Sequence, residues 1–334
     1  MARYNQPDDN IMNLIRLSAD ADRDVAVSAR QQLAVALQTP LRQGVLVGDI
    51  ATNLFEGIVM APGSSMEWPL DILAPGEEDQ FVAYTNPGSG RIPDKQVEGD
   101  YVMVPTYSIA SSMGWLLRLA REARFDIVGR AMSVFEAGFV KKINDDGWHT
   151  LLTAGADRNI LVYDGDASAG QFTKRLVSLM KVTMRRNGGG NTASIKRGRL
   201  TDLYLSPEAL EDIRNWGVDQ VDEITRHEIF ISAEDGGITR IFGVNLHDLD
   251  EFGESQEYQL FFLNQLAAAI EPSDLELVVG VDMNANDSFI MPIRQQLEVS
   301  EDPTAHRKQR VEFYGWQEQG FACLDNRRVM LGSF

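Results

Sequence analysis

Residues 181–199, KVTMRRNGGGNTASIKRGR, gather six cations (Lys181, Arg185, Arg186, Lys196, Arg197, Arg199) around three glycines and contain no acid. Positive charge beside unhindered backbone N–H groups is the chemistry of a phosphate cradle. A Walker-type loop, however, needs G-x-x-x-x-G-K-[ST] leading into the N-terminus of a helix. Here no Lys-Ser/Thr pair follows Gly188 to Gly190, and the glycines close a helical pattern. At that end the helix dipole repels anions. The stretch therefore reads as a flexible loop whose cations meet acids on a neighbouring subunit, with unspecific nucleic-acid contact as the alternative.

Other candidate chemistries fail on spacing. DMNAND, with Asp282, Asn284 and Asn286, imitates the start of a calcium loop, but its sixth position is Asp287 rather than Gly and its twelfth is Ile293 rather than Glu. An Asn/Asp turn is expected there. His149, His227, His247 and His306 are far apart and show no metal-ligand spacing. Cys323 lies in the apolar run GFACL and reads as a small core residue. No G-x-S-x-G elbow surrounds a serine, and acid pairs such as Glu77-Glu78 and Asp145-Asp146 are expected as solvated surface. No catalytic, cofactor-binding or metal-binding residue is assigned, and the chain is not expected to be an enzyme. A hydrolase with a dispersed site is the alternative from another class.

Composition narrows the partners. The 334 residues, 44% of them apolar and 24% charged, can bury a large core in one or two domains. The basic loop contributes +6, so the remainder carries −24 to reach the net −18 of the whole. Such a charge opposes a general affinity for polyanions and favours local contacts between opposite charges. One cysteine excludes an internal disulfide and points to assembly in a reducing compartment. The N-terminus, MARYNQPDDN, has acids where a secretion signal needs an apolar core, and the uncharged run 101–117 falls short of a membrane span.

The elements that position these residues form a mixed α+β pattern. Residues 9–40 predict helix, and 41–62 an extended, glycine-punctuated strap. Residues 64–100 predict two strands, EWPLDIL and YVMVPTYSIA, separated by a long Pro/Gly-rich excursion. A long helix is expected from about 122 to 152, with its apolar stripe at Ile127, Ala131, Val134, Phe135, Gly138 and Phe139. Another, marked by Phe172, Leu176, Leu179, Met180 and Met184, should end near Asn187-Gly188. LTDLYLSPEALEDIRNW predicts a strand over 200–205 feeding a helix capped by Ser206 with Pro207 at its first position. Short strands and turns follow over 228–282, and β-rich runs at 288–299 and 311–323 flank the charged turn SEDPTAHRKQR.

Three stretches carry a resemblance. They are the strand and long helix EGDYVMVPTYSIASSMGWLLRLAREARFDIVGRAMSVFEAGFVKKINDDGWHTLLTAG, then LTDLYLSPEALEDIRNW with ITRIFGVNLHDL, and the ending NDSFIMPIRQQLEVSEDPTAHRKQRVEFYGWQEQGFACLDNRRVMLGSF. In order and spacing they resemble the major capsid proteins of tailed bacteriophages, the Hong Kong 97-type shell fold, from about residue 64 to the end. The resemblance implies an N-terminal arm (1–63) and an extended β-hairpin loop (64–104) lying over an adjacent subunit. It implies a peripheral domain with a long spine helix (105–160 and 276–334) and an axial domain (161–275).

The implied function is self-assembly into the icosahedral head shell around a double-stranded DNA genome. The implied partners are other copies of the chain, in hexamers and pentamers, with a portal and separate scaffolding or decoration proteins. Packaged DNA would be touched weakly and without sequence preference, and no membrane is involved. The implied location is the virion, after assembly in the host bacterial cytoplasm. An encapsulin-like nanocompartment shell is the alternative within the same fold. Contacts between copies are expected at Arg185, Arg186, Lys196, Arg197 and Arg199 of the basic loop and at Lys95 and Trp68 of the extended loop. A cleaved propeptide is not expected. Residues 300–320 lack asparagine, so no covalent cross-link from Lys95 is expected there either.

Overall fold

A computed structural model describes residues 9–20, 22–48, 51–61, 63–70, 100–122, 125–168, 170–187, 198–216, 240–266, 276–284 and 288–334. The chain divides into two compact units. The first comprises residues 1–66, 103–147 and 290–322; the second comprises 67–102, 148–289 and 323–334.

In the first unit, helices α1 (Asp9–Leu17) and α2 (Arg23–Gly48) replace the single helix expected over 9–40. The break has a local cause. Asp20 and Asp22 accept the N–H groups of Asp22 and Asp24, each at 3.0 Å, so short side chains compete for backbone donors at the joint. The expected strap over 41–62 is corrected too. α2 runs through Pro40 to Gly48, and only then come the short helix α3 (Ala51–Leu54) and strand β1 (Glu56–Val59). The proline's missing hydrogen bond is offset by anchors on either side. Gln38 and Arg42 both donate to the Leu297 carbonyl, at 3.3 and 2.6 Å, and Leu41 is wholly buried.

Strands β4 (Tyr107–Leu116), β10 (Phe289–Glu301) and β11 (Arg310–Gln319) build the sheet of this unit, in the order β1-β10-β11-β4. β11 pairs antiparallel with β4 along its whole length, from Arg310↔Leu116 to Gln319↔Tyr107, and β1 joins β10 in parallel. Asp302 fixes the charged turn by accepting the Thr304 N–H at 2.8 Å and its hydroxyl at 2.7 Å.

After the short helix α4 (Leu117–Arg121), the long helix α5 spans Phe125–Ala156. Its buried stripe is Val128, Met132, Phe135, Phe139 and Ile143, packed with Trp115, Leu297, Val311 and Phe313. The stripe expected through Val134 and Gly138 is therefore out of phase. Val134 is 67% exposed, whereas Phe135 and Phe139 belong to both stripes and Ala131 packs, partly buried, against the same core; the side chain of Ile127 lies outside the described residues.

The second unit contains the sheet β5-β13-β9-β6-β8-β7. Its strands are β5 (Leu161–Tyr163), β6 (Asp202–Leu205), β7 (Arg240–Ile241), β8 (Val244–Asp248), β9 (Leu277–Val281) and β13 (Val329–Ser333). Helix α6 (Lys174–Asn187) ends where its sequence pattern ends and buries Leu176, Val177, Met180 and Met184. It lies close on the strands because Gly280 and Gly332 carry no side chain. A Cβ on Gly332 would sit 2.8 Å from the Met180 sulfur. Helix α7 (Pro207–Asn215) begins as expected, with Pro207 in the first turn and the Ser206 hydroxyl accepting the Ala209 N–H. The strands expected around the long excursion appear as β2 (Glu67–Leu70) and β3 (Asp100–Met103), which pair with each other.

Candidate functional site

The basic stretch begins inside α6, at Lys181, and runs past the end of that helix. Arg185 and Arg186 occupy its last turn, where cations complement the exposed carbonyls. The chain returns at Gly198, whose φ of +71° suits glycine, and Arg199 follows. Lys181, Arg185, Arg199 and Arg240 line one cleft of about 540 Å³, together with Thr201, Phe242 and Asn284. No carboxylate lines it among the described residues.

Each wall has a structural cause. β7 and β8 form a hairpin whose two-residue turn, Phe242-Gly243, has positive φ at both positions, 48° and 78°. That turn leaves Phe242 41% exposed at the rim and offers its carbonyl to the Lys181 ammonium at 2.8 Å. The cleft floor is tied down by wholly buried Asp282, which accepts the Arg199 N–H at 3.1 Å and two N–H groups of Asn284 at 3.1 and 2.9 Å. Of DMNAND, residues 282–284 are described and Asp282 spends its carboxylate on backbone and amide donors, while residues 285–287 lie outside the described residues.

Of the expected contact residues, Arg185 and Arg199 come together in the cleft, while Arg186 is exposed outside its lining. Lys196, Arg197 and Lys95 lie outside the described residues. Trp68 is on β2, half-buried, and its indole N–H has no hydrogen-bond partner among the described residues. Arg240 and Asn284 were not expected in the cleft. Arg240 could have been found from ITRIFGVN, since a two-residue turn at Phe242-Gly243 places Arg240 on the strand paired with β8.

The opposite end of β6 and β8 is acidic. Glu276 accepts a hydrogen bond from the Ser206 hydroxyl at 2.8 Å. Burial raises its pKa above the ordinary range, the Ser206 hydrogen bond opposes this, and the charges of Glu208, Glu254 and Asp212 push it further up. β8 ends at Asp248, and the 3₁₀ turn Asp250–Phe252 follows, anchored by the Leu249 N–H on the Leu205 carbonyl at 2.9 Å. A Cβ on Gly253 would lie 3.0 Å from the Glu208 carboxylate, so this turn packs against the start of α7.

Among the described residues the remaining candidates show no assembled chemistry, and His227 and the side chain of His306 lie outside them. His247 sits 2.9 Å from Asp202, and His149 stacks on Phe261 with centroids 3.8 Å apart. His149, Asp157 and Cys323 line a second cleft of about 600 Å³. Burial, then the charge of Asp325, pushes the Cys323 thiol up to about 12, far from a thiolate nucleophile. Among the described residues, no group of three or more His, Cys, Asp or Glu side chains could hold a metal ion. No described helix is long and apolar enough to cross a membrane.

No protein-family model matches the chain, and no curated protein matches it in sequence. Solved structures do match in fold. A chain from Microbacterium phage Oxtober96 superposes with a TM-score of 0.56 at 12% identity, over 86% of this chain and 90% of that one. The capsid of an empty GTA particle gives 0.55 at 12% identity, over 86% and 90%. The Cyanophage Pam1 capsid gives 0.55 at 13% identity, over 84% and 88%. The chain shares the α+β fold of these solved chains, the Hong Kong 97 type that its sequence resembles.

Proposed function

We propose that the chain is the major capsid protein of a tailed phage and self-assembles into the icosahedral head shell that encloses double-stranded DNA. One observation carries this reading. The fold of the GTA and cyanophage capsids extends over 84–86% of this chain and 88–90% of theirs. Low identity over most of the chain is what shell architecture tolerates. Association rests on many weak contacts repeated around closed symmetry rather than on a fixed set of reacting side chains.

In this reading, residues 1–63 form the arm and 64–104 the extended loop. Residues 105–160 with 276–334 form the peripheral domain, and 161–275 the axial domain. Subunits join as hexamers and pentamers, assembled in the host bacterial cytoplasm, with a portal and separate scaffolding or decoration proteins as partners. An acidic subunit suits a lining that repels rather than grips the genome, so that DNA slides in and out.

The test is sedimentation of the expressed chain. Particles or capsomers built from this chain alone support the reading. A protein that stays monomeric or dimeric under all conditions contradicts it. Shells filled with host enzymes instead of nucleic acid would assign it to nanocompartments.

A further inference from the structure

The second unit is polar along one axis. Lys181, Arg185, Arg199 and Arg240 crowd one end of β6 and β8, with Phe242 at the rim. Glu208, Asp250, Glu254 and Glu276 crowd the other, where burial first, and then the charges of Glu208, Glu254 and Asp212, raise the Glu276 pKa. β6 and β8 run parallel from the first end to the second, in the register Asp202↔Asn245 to Leu205↔Asp248. At about 3.3 Å per residue the strands hold the two ends on the order of 15 Å apart. That exceeds the Debye length of about 8 Å at physiological salt, so the ends of one subunit do not neutralise each other. Among the described residues each end keeps a like-charged cluster, which an opposite cluster brought against it relieves.

We infer that copies within a capsomer ring join head to tail, the basic cleft of one copy receiving the acidic end of the next. This rests on the shell reading and specifies its partner as the Glu208/Asp250/Glu254 end of a second copy. A heterologous contact of this kind closes into a ring when the rotation between copies divides the circle. Concentrating the cations in a recess, in a chain of net charge −18, directs each copy to that one end of its neighbour and disfavours acid-to-acid approaches. Nucleic acid is the rival occupant. The lining of the cleft, without acids among the described residues, suits it equally, but the net charge of −18 opposes a polyanion and not a small complementary turn.

The inference is tested with three variants of the full chain: a reversed cleft (Arg185→Glu, Arg199→Glu, Arg240→Glu), a reversed acidic end (Glu208→Lys, Asp250→Lys, Glu254→Lys), and both together. Capsomer formation is read by size-exclusion chromatography and electron microscopy, with circular dichroism to establish folding. Each single reversal is expected to reduce capsomers roughly tenfold or more. The combined reversal should restore them.

An equimolar mixture of the two single reversals should also restore assembly, but in alternating rings. Hexamers would then form while pentamers do not, because an odd ring leaves one like-charged junction. If single reversals assemble normally, or if folded single reversals are rescued by neither the combination nor the mixture, the head-to-tail pairing is wrong. Normal assembly by the reversed-cleft variant with loss of bound nucleic acid assigns the cleft to DNA and also overturns it. If the wild-type chain forms no rings, the shell reading fails and takes the pairing with it. Wild-type rings beside unrescued variants sink the pairing alone.

Discussion

The Ser206 hydroxyl accepts the Ala209 N–H at 3.2 Å while donating to the Glu276 carboxylate at 2.8 Å. One wholly buried side chain thus starts α7 and ties it to the segment entering β9. Ser206→Ala removes a helix cap and leaves a carboxylate oxygen short of a donor. It is expected to cost about 1–2 kcal/mol in chemical denaturation. A midpoint equal to wild type would show that neither bond contributes.

Glu276 should make stability depend on pH in the opposite sense from most carboxylates. Its pKa is raised by burial and by the charges of Glu208, Glu254 and Asp212. The folded state therefore holds its proton more tightly than the unfolded chain does. Stability from this group is full below the ordinary glutamate range and declines as pH rises through the folded value. Glu276→Gln is expected to raise the melting temperature at neutral pH by about 1–3 °C. The advantage should vanish near pH 4, an acidity close to the unperturbed glutamate value. A gain that is constant across pH would refute the electrostatic cause.

Asp202 predicts the reverse. Burial opposes its charge, but hydrogen bonds from His247 at 2.9 Å, from the Thr201 side chain and from Asn245 at 3.1 Å outweigh this and hold its pKa low. Its contribution is present above the ordinary aspartate range and lost as pH falls through the lowered folded value. Asp202→Asn should destabilise by about 1 kcal/mol at neutral pH. The gap to wild type should close in acid, below about pH 4. Equal midpoints at pH 7 would contradict it.

Gly315 tests the packing of α5 on the sheet. A Cβ there would lie 2.6 Å from the ring of Phe135 and 3.2 Å from Leu297. Gly315→Ala should cost about 1–3 kcal/mol by overpacking, and a further Phe135→Leu change should recover part of it. Additive losses in the double variant would mean the two positions do not share that space.

The sequence shows α5, α6, the Ser206-Pro207 start of α7 and the two C-terminal strands because each signal is local: a period, a cap or a turn. The phase of α5 is not local. FDIVGRAMSVFEAGFVKKI is apolar on more than one face, and only contact with Val311 and Phe313 selects Phe135 and Phe139 over Val134. α2 passes Pro40 for a similar reason, since the Leu297 carbonyl that receives Gln38 and Arg42 lies more than 250 residues away in sequence. The basic cleft was half legible. Arg185 and Arg199 stand in an obvious cluster, whereas Arg240 joins them through a hairpin and Asn284 through the buried carboxylate of Asp282.

The most direct measurement of the central claim is cryo-electron microscopy of particles assembled from the purified chain. Closed icosahedral shells, with this fold in every subunit of five- and sixfold capsomers, are the predicted result. A homogeneous monomer or dimer that forms no capsomer or shell would contradict it.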